Sequence, residues 1–365
     1  ALKYIALVFS ILNFPTISLY LFGGSLGGLF SALSFLLIII YAVFSKSIYP
    51  SIWYLLIWAS YYIISGFQLD SYYDPNEFIA RTFKFLIIAV FAGAILKHTS
   101  LKEMYWILLI GASTVIINAV FFPDNYGRYG GVYIDPNAAG FVCIAGYALT
   151  YELNKSKDKI LGQFVFSLAG FLTFSRTFIL IWLLVNLISL KINLKNARIF
   201  VLGAVVIIIM ITFSEALQLN AVRFKQLESI VTNEKVNTSE LNEDSRTETW
   251  AMFYDYIRDK PFIGNGHGSF QANGVHRIGP HNTYLFIIGE AGIIAFSIYL
   301  AFQFVLLKKS IQYFNKHPSF IMLFIAQGLF LLTNHNYFTS YYLLFVVLWF
   351  YQNIKKAENE DRLYN

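Results

Sequence analysis

The sequence has few charged residues for its length. Only 13% of its 365 residues are charged, whereas 57% are hydrophobic and 36 are phenylalanine. A chain with so little polar surface cannot cover a soluble globule of this size, so we expect the lipid bilayer to surround most of it. The composition predicts an all-α fold, a polytopic bundle of transmembrane helices.

Residues that several classes of site require are also scarce. The single cysteine, Cys143, excludes an internal disulfide and a thiolate metal cage. The histidines lack the spacing of a metal motif, so we expect no metal ion and no cofactor. No P-loop, dinucleotide fingerprint or nucleic-acid module is found, and the net charge of +6 comes mostly from lysines that would meet anionic lipid. We therefore expect no nucleic-acid partner.

Twelve apolar runs in the sequence are long enough to cross a bilayer. The hydrocarbon core is about 30 Å thick and a helix rises about 1.5 Å per residue. We expect spans one to nine within 1–213, a polar loop at 214–282, and spans ten to twelve with a tail within 283–365. The runs are 4–22, 27–44, 52–67, 79–96, 104–122, 138–153, 160–174, 177–190, 198–213, 283–306, 319–333 and 341–354.

Lysine and arginine are distributed unevenly between the loops. If the N-terminus is cytoplasmic, the inner loops hold most of the lysines and the short outer loops hold only Arg128 and Arg176. This asymmetry follows the positive-inside rule. It predicts that both termini are cytoplasmic and that 214–282 is a large periplasmic loop.

The polar loop contains two stretches with helical periodicity. Residues 217–232 and 245–258 each place apolar side chains on one stripe, so we expect two amphipathic helices. Arg246 would occupy the first turn of the second helix, where a cation opposes the helix dipole unless an anion binds there. The following Gly264–Phe270 segment is rich in glycine. It predicts either a close approach of the backbone or a simple tight turn.

Arginines on the predicted outer side need partners. Arg81 lies at the edge of the fourth span, and Arg128 and Arg176 lie in short loops. An arginine near lipid is costly unless it is paired, and a shared anion would satisfy all three. The alternative is that each one reaches the headgroups or pairs with a carboxylate such as Glu290.

His281 directly precedes the tenth predicted span. Histidine is the side chain best suited to accept a proton at neutral pH, so His281 is a candidate general base. The alternative is that it only caps the helix. His267, His276 and His335 are rival candidates on the same predicted side.

Several of these motifs occur in an order that resembles the O-antigen polymerase and ligase superfamily. The resemblance covers about 126–295. Its motifs are Arg128 with Asp135-Pro136-Asn137, Ser175-Arg176-Thr177, Arg246 with Trp250, Pro261–Phe270, His281-Asn282, and Gly289-Glu290 with Gly292.

The resemblance implies a glycosyltransferase of the bacterial inner membrane that acts on the periplasmic face without a metal. Its donor and acceptor would be undecaprenyl-diphosphate-linked glycans, and a chain-length regulator protein is a candidate partner. The positions with implied catalytic roles are Arg176, Arg246 and His281. We take as substrate-binding candidates Arg81, Arg128, Asn137, Trp250, His267, Asn282 and Tyr284.

Within the superfamily, the sequence favours a polymerase. Ala295 departs from the ligase signature, although a ligase that transfers glycan to lipid A-core stays an alternative. A transporter or flippase of polyprenyl-linked glycans is the alternative of another class, but we find neither internal repeats nor interrupted helices. A hydrolase would need paired carboxylates, and nothing fixes the separation of those in the loop.

Overall fold

The computed structural model describes residues 1–46, 48–71, 73–124, 126–219, 246–271, 274–276 and 278–364. The structure is 76% helix, without strands in these ranges, which confirms the all-α fold. In chain order the helices are α1 (Leu2–Ile11), α2 (Phe14–Phe44), α3 (Ile52–Gly66), α4 (Pro75–Lys97), α5 (Leu101–Phe121), α6 (Pro136–Leu149), α7 (Ser156–Leu172), α8 (Arg176–Ile192), α9 (Leu194–Thr212), α10 (Arg246–Ala251), α11 (Tyr254–Asp259), α12 (Thr283–Gln312), α13 (Pro318–Leu331) and α14 (Tyr341–Tyr364).

Five helices in the described part of the chain are long and apolar enough to cross a membrane. They are α2, α4, α5, α9 and α12, and the shorter α1, α3 and α13 are also apolar. The protein is therefore a multi-pass membrane protein. The count of twelve spans and the periplasmic location of 214–282 stay predictions.

The first predicted span and the loop behind it have different limits in the structure. The run 4–22 is interrupted at Asn13, whose φ of 57° is left-handed, so it is not one helix. Between the first two predicted spans the chain turns back at one residue, Gly23, where φ is 72°. The hydroxyl of Ser18 lies 3.3 Å from the carbonyl oxygen of Gly27. Residues nine apart in a straight helix are separated by roughly 13 Å, so α2 folds back at this break.

A second break of the same kind divides α12. Gly292 has φ 72°, and the rings of Tyr284 and Tyr299 on either side of it are only 5.9 Å apart. A straight helix would separate these residues by roughly 22 Å. The tenth predicted span is therefore two arms, and the observation that the chain lacks interrupted helices is wrong.

Helix starts are fixed by short polar side chains. Asp74 and Asp135 cap α4 and α6, accepting hydrogen bonds from the amides two residues ahead at 2.9 Å and 2.8 Å. Each is followed by a proline, whose fixed φ suits the first helical position. Ser175 caps α8 in the same way. The Ser175 cap makes Arg176 the first residue of α8.

The chain separates into two compact units. Unit 1 contains 1–99, 246–313 and 331–365, and unit 2 contains 100–245 and 314–330. The predicted division at 213 and 282 follows the polar segment along the chain and stays a prediction.

Each unit has its own core. In unit 1 the ring of Tyr61 stacks on Phe338 with centroids 3.8 Å apart, and the hydroxyl of Tyr54 donates to the Leu344 carbonyl at 2.8 Å. In unit 2 every residue of α6 from Ala138 to Leu149 is buried, including Cys143. Helix α6 is therefore the centre of that core.

Candidate active site

A cleft in unit 1 combines aromatic and polar side chains. It encloses about 290 Å³, part of it open to solvent. The lining residues are Tyr61, Tyr62, Arg81, His267, Gln271, Phe286, His335, Asn336, Phe338 and Thr339.

The cleft depends on a loop, residues 261–270, that packs on the break in α12. The amide of Ile293 donates to the carbonyl of Pro261 at 2.8 Å, and the amide of Gly266 donates to the carbonyl of Glu290 at 3.0 Å. Backbone N–H and C=O groups that lose their helical hydrogen bonds at the break therefore form hydrogen bonds with the loop, because buried polar groups need partners.

Glycine is required in this loop. Gly264, Gly266 and Gly268 all have positive φ, at 71°, 94° and 91°. A Cβ on Gly266 would stand 1.4 Å from the carbonyl oxygen of Gln68, and one on Gly268 would stand 2.9 Å from the side chain of Tyr73. Side chains rarely adopt such φ values. The close backbone approach predicted from the sequence is confirmed.

Glu290 is the buried centre of the loop contact. Its Oε1 accepts hydrogen bonds from the amides of Gly268 at 3.0 Å and Phe270 at 3.1 Å, and its Oε2 accepts one from the hydroxyl of Tyr61. Both carboxylate oxygens are therefore occupied within unit 1. The sequence analysis treated Glu290 only as a partner for an arginine and missed this role.

His267 lines the cleft and lies next to that carboxylate. It is 2% exposed, and its Nδ1 lies 3.2 Å from the oxygen of Tyr61 and 3.6 Å from Glu290. Burial, and then the charge of Arg81, lowers the pKa of His267 to about 3. The imidazole is therefore neutral near pH 7. Its Nε2 has no hydrogen-bond partner among the described residues.

Arg81 supplies a cation to the cleft. Its Nη1 donates to the side-chain oxygen of Gln271 at 3.0 Å, and its Nη2 pairs with Glu77 one helical turn earlier. The guanidinium also lies 5.4 Å from the ring centroid of Tyr73. These contacts hold the guanidinium at the cleft, where the sequence analysis expected a substrate-binding residue.

His281 is exposed and adopts a left-handed φ of 47°. The cap of α12 is Asn282, whose side-chain oxygen accepts from the amides of Tyr284 at 2.9 Å and Leu285 at 3.2 Å. The alternative in which His281 only caps the helix is therefore wrong. Asn282 has a structural role, and the half-buried Tyr284 packs against Tyr299.

His335 lines the cleft and connects it to His281. The two imidazole rings meet edge to face with centroids 5.1 Å apart. Burial, and then the neighbouring His281, lowers the pKa of His335 to about 4. The pair thus consists of one half-buried neutral ring and one exposed ring.

Unit 2 brings Arg128, Asn137 and the start of α8 together. The Nε of Arg128 donates to the carbonyl of Thr173 at 3.1 Å, and its Nη2 donates to the side-chain oxygen of Asn137 at 3.3 Å. Arg176 is the exposed first residue of α8, two residues after a left-handed Phe174. Unit 2 therefore presents two of the predicted arginines beside helix N-termini.

The predicted helix 245–258 is two short helices. Phe253 lies between α10 and α11, is fully buried, and packs on the ring of Phe270 with centroids 4.9 Å apart. Arg246 begins α10, and Trp250 is half-buried there. The side chain of Arg246 and most of the predicted helix 217–232 lie outside the described residues. Among the described residues, no group of three histidine, cysteine or acidic side chains could hold a metal ion.

A family model described as O-antigen ligase matches residues 161–300. The match supports the predicted resemblance to the O-antigen polymerase and ligase superfamily over this part of the chain. Members of this superfamily are glycosyltransferase-like membrane enzymes that act on O-antigen. The matched range includes Arg176, Arg246, His267, His281 and Glu290. No curated protein matches the sequence.

Proposed function

We propose that this protein is an inner-membrane glycosyltransferase that polymerises undecaprenyl-diphosphate-linked repeat units into O-antigen or a related surface polysaccharide, on the periplasmic face. The observation that carries the proposal is the cleft, which joins the cation of Arg81 to a neutral His267 and has no carboxylate among its lining residues. A glycosidase needs two carboxylates beside the bond that it cleaves. Glu290 lies behind the cleft with both oxygens engaged.

The leaving group of a lipid-diphosphate donor is already a stable anion, so the transfer needs no general acid. It needs a cation that stabilises the departing diphosphate and a base that accepts the proton of the acceptor hydroxyl. The acceptor hydroxyl oxygen attacks the anomeric carbon, and the bond to the diphosphate breaks with its electron pair. His281 takes the hydroxyl proton. Arg176 and Arg246 each bind phosphate oxygens with two parallel hydrogen bonds. The position of Arg176 at the start of α8 supports its role, since the positive end of a helix favours anions.

The family match supports a second candidate function, which is ligation of the glycan to lipid A-core. Ligase and polymerase share the donor and differ in the acceptor. Purified protein in nanodiscs should therefore lengthen lipid-diphosphate-linked repeat units from the source strain without lipid A-core. Transfer only when lipid A-core is added would make the protein a ligase. Movement of the lipid-linked unit across vesicles without elongation would make it a transporter.

Arginine-to-lysine variants test the phosphate contacts. Lysine keeps the charge but cannot form two parallel hydrogen bonds, so Arg176→Lys and Arg246→Lys should each lower the elongation rate by roughly 10²–10³. Arg258→Lys is the matched control, because Arg258 is exposed and pairs only with Asp255. Variants at 176 and 246 that elongate as fast as this control would contradict the assigned roles.

A further inference from the structure

A chain of three buried side chains runs from Glu290 through Tyr61 to His267. The Oε1 of Glu290 already accepts hydrogen bonds from two backbone amides, and its Oε2 accepts a hydrogen bond from the hydroxyl of Tyr61. A phenol has one proton to give. With Glu290 ionised, the oxygen of Tyr61 is left to accept a hydrogen bond from the Nδ1 of His267, which lies 3.2 Å away.

This direction of donation fixes the tautomer of His267. A neutral imidazole has one N–H, and that proton is on Nδ1, so Nε2 carries a lone pair. The rings of Tyr73 and Phe78 pack edge to face against the imidazole, and each ring centroid lies 4.8 Å from that of His267. The orientation of Nε2 is thus set by both hydrogen bonding and packing.

The lone pair of Nε2 lacks a partner among the described residues, although His267 is only 2% exposed and lines the cleft. A buried polar atom without a partner is costly, and such atoms often mark a site that a ligand completes. The hydroxyl of Tyr62, in the same lining, is also buried without a partner in the described chain. An acceptor lone pair requires a donor, which a sugar hydroxyl supplies and an ionised phosphate does not.

We propose that His267 binds a hydroxyl group of the acceptor sugar through Nε2, and that Tyr61 and Glu290 are positioning residues that hold its tautomer. The proposal deepens the function proposed above and rests on it. His281 takes the proton of the attacking hydroxyl, whereas His267 orients the sugar that carries it.

The tautomer is tested without any activity assay. Protein labelled with ¹⁵N-histidine in nanodiscs should give an Nδ1–H, Nε2-unprotonated signal that disappears in His267→Gln. In Glu290→Gln the His267 signal should change to that of an imidazole with its proton on Nε2. The amide oxygen must stay on the Gly268 and Phe270 amides, so the NH₂ group faces Tyr61, which then donates to Nδ1 and moves the imidazole proton to Nε2. A wild-type proton on Nε2 would overturn the proposal.

Titration with small probes identifies the bound group. Methyl glycosides of the strain's polysaccharide sugars should shift the His267 Nε2 resonance, and inorganic pyrophosphate should not. A shift with pyrophosphate alone, or no shift with any glycoside, overturns the proposal. A glycoside shift in a protein that fails to elongate chains would leave the sugar site standing and reject the polymerase.

Two substitutions of His267 distinguish a role in binding the acceptor sugar from a purely structural role. Glutamine places its amide near the position of Nε2, whereas asparagine reaches only the position of Nδ1. His267→Asn should therefore raise the KM for the acceptor about 10-fold more than His267→Gln, with kcat nearly equal, as expected for one lost hydrogen bond. If His267→Asn performs as well as or better than His267→Gln, the histidine only supports Tyr61. His276→Gln, further along the chain and outside the cleft lining, is the control and should leave KM unchanged.

Discussion

Helices α2 and α12 are broken by glycines with the same backbone conformation but in opposite surroundings. Gly23 has φ 72° and ψ −171°, and Gly292 has φ 72° and ψ −172°. A Cβ on Gly23 would meet nothing within 4 Å, whereas one on Gly292 would stand 2.1 Å from the carbonyl oxygen of Phe262. The local geometry is therefore shared, and only packing makes the break in α12 part of a site.

The largest effect should come from placing a side chain at each break. Both alanine variants carry backbone strain of about 1–3 kcal/mol, because this conformation is almost confined to glycine. Gly292→Ala adds an overlap with backbone that costs about 1–3 kcal/mol more, whereas Gly23→Ala adds none. Thermal unfolding in detergent should thus show a larger loss of Tm for Gly292→Ala. Equal losses would mean that the loop does not hold the break.

A smaller effect should follow from removing the polar group beside each break. Glu290→Ala leaves the amides of Gly268 and Phe270 without their acceptor, which should lower the free energy of unfolding by about 3 kcal/mol. Ser18→Ala removes one hydroxyl that bonds to carbonyls, at 3.1 Å from Pro15, and should cost about 1 kcal/mol. Denaturant unfolding of the two variants measures the difference. A Ser18 variant as unstable as the Glu290 variant would contradict the comparison.

Both glycine-containing segments are visible in the sequence, but the sequence does not predict which of them contacts another part of the chain. The run Gly23-Gly-Ser-Leu-Gly-Gly28 predicts a loop because its glycines are dense, while Gly289-Glu-Ala-Gly292 sits inside an apolar run and predicts a continuous span. In the structure both are breaks within helices. What distinguishes them is contact with Phe262, a residue about thirty positions away from Gly292, and local patterns do not carry such information.

The same limit applies to the candidate site. His267 and Arg81 were predicted because a polar side chain near an apolar run is conspicuous, and both line the cleft. Tyr61 and Tyr62 were missed because aromatic residues in a predicted span resemble ordinary core or lipid-facing positions. Glu290, the partner of Tyr61, was predicted only as a carboxylate that an arginine could pair with. An acidic residue in an apolar run near tyrosines is the signal that could have found the cluster.

Acidification should also separate the two breaks, because it should act near the α12 break and not near the α2 break. Residues 1–44 contain no histidine, aspartate or glutamate. Near α12, the pKa of His267 is lowered to about 3 and that of His335 to about 4. Unfolded histidine titrates near about 6.5, so below that pH the unfolded state binds more protons and stability falls, while above it the stability is fully present.

Hydrogen exchange measures this difference. After correction for the intrinsic rate, amides of 261–270 should lose protection between pH 7 and pH 5, because burial opposes charging of the two histidines. Amides of α2 should keep their protection. Equal loss in both regions, or greater protection of the loop at the lower pH, would contradict the assigned neutral states.

The buried position of Cys143 has a practical consequence. The only sulfur nucleophile of the chain is fully enclosed within α6, where aqueous maleimides cannot reach it. The natural protein can therefore serve as its own cysteine-free background. A thiol introduced at an exposed position such as Asn336 or Asn193 would be the single reactive group in the molecule. Which side of the membrane each loop faces can then be read one position at a time, with no compensating substitution in the core.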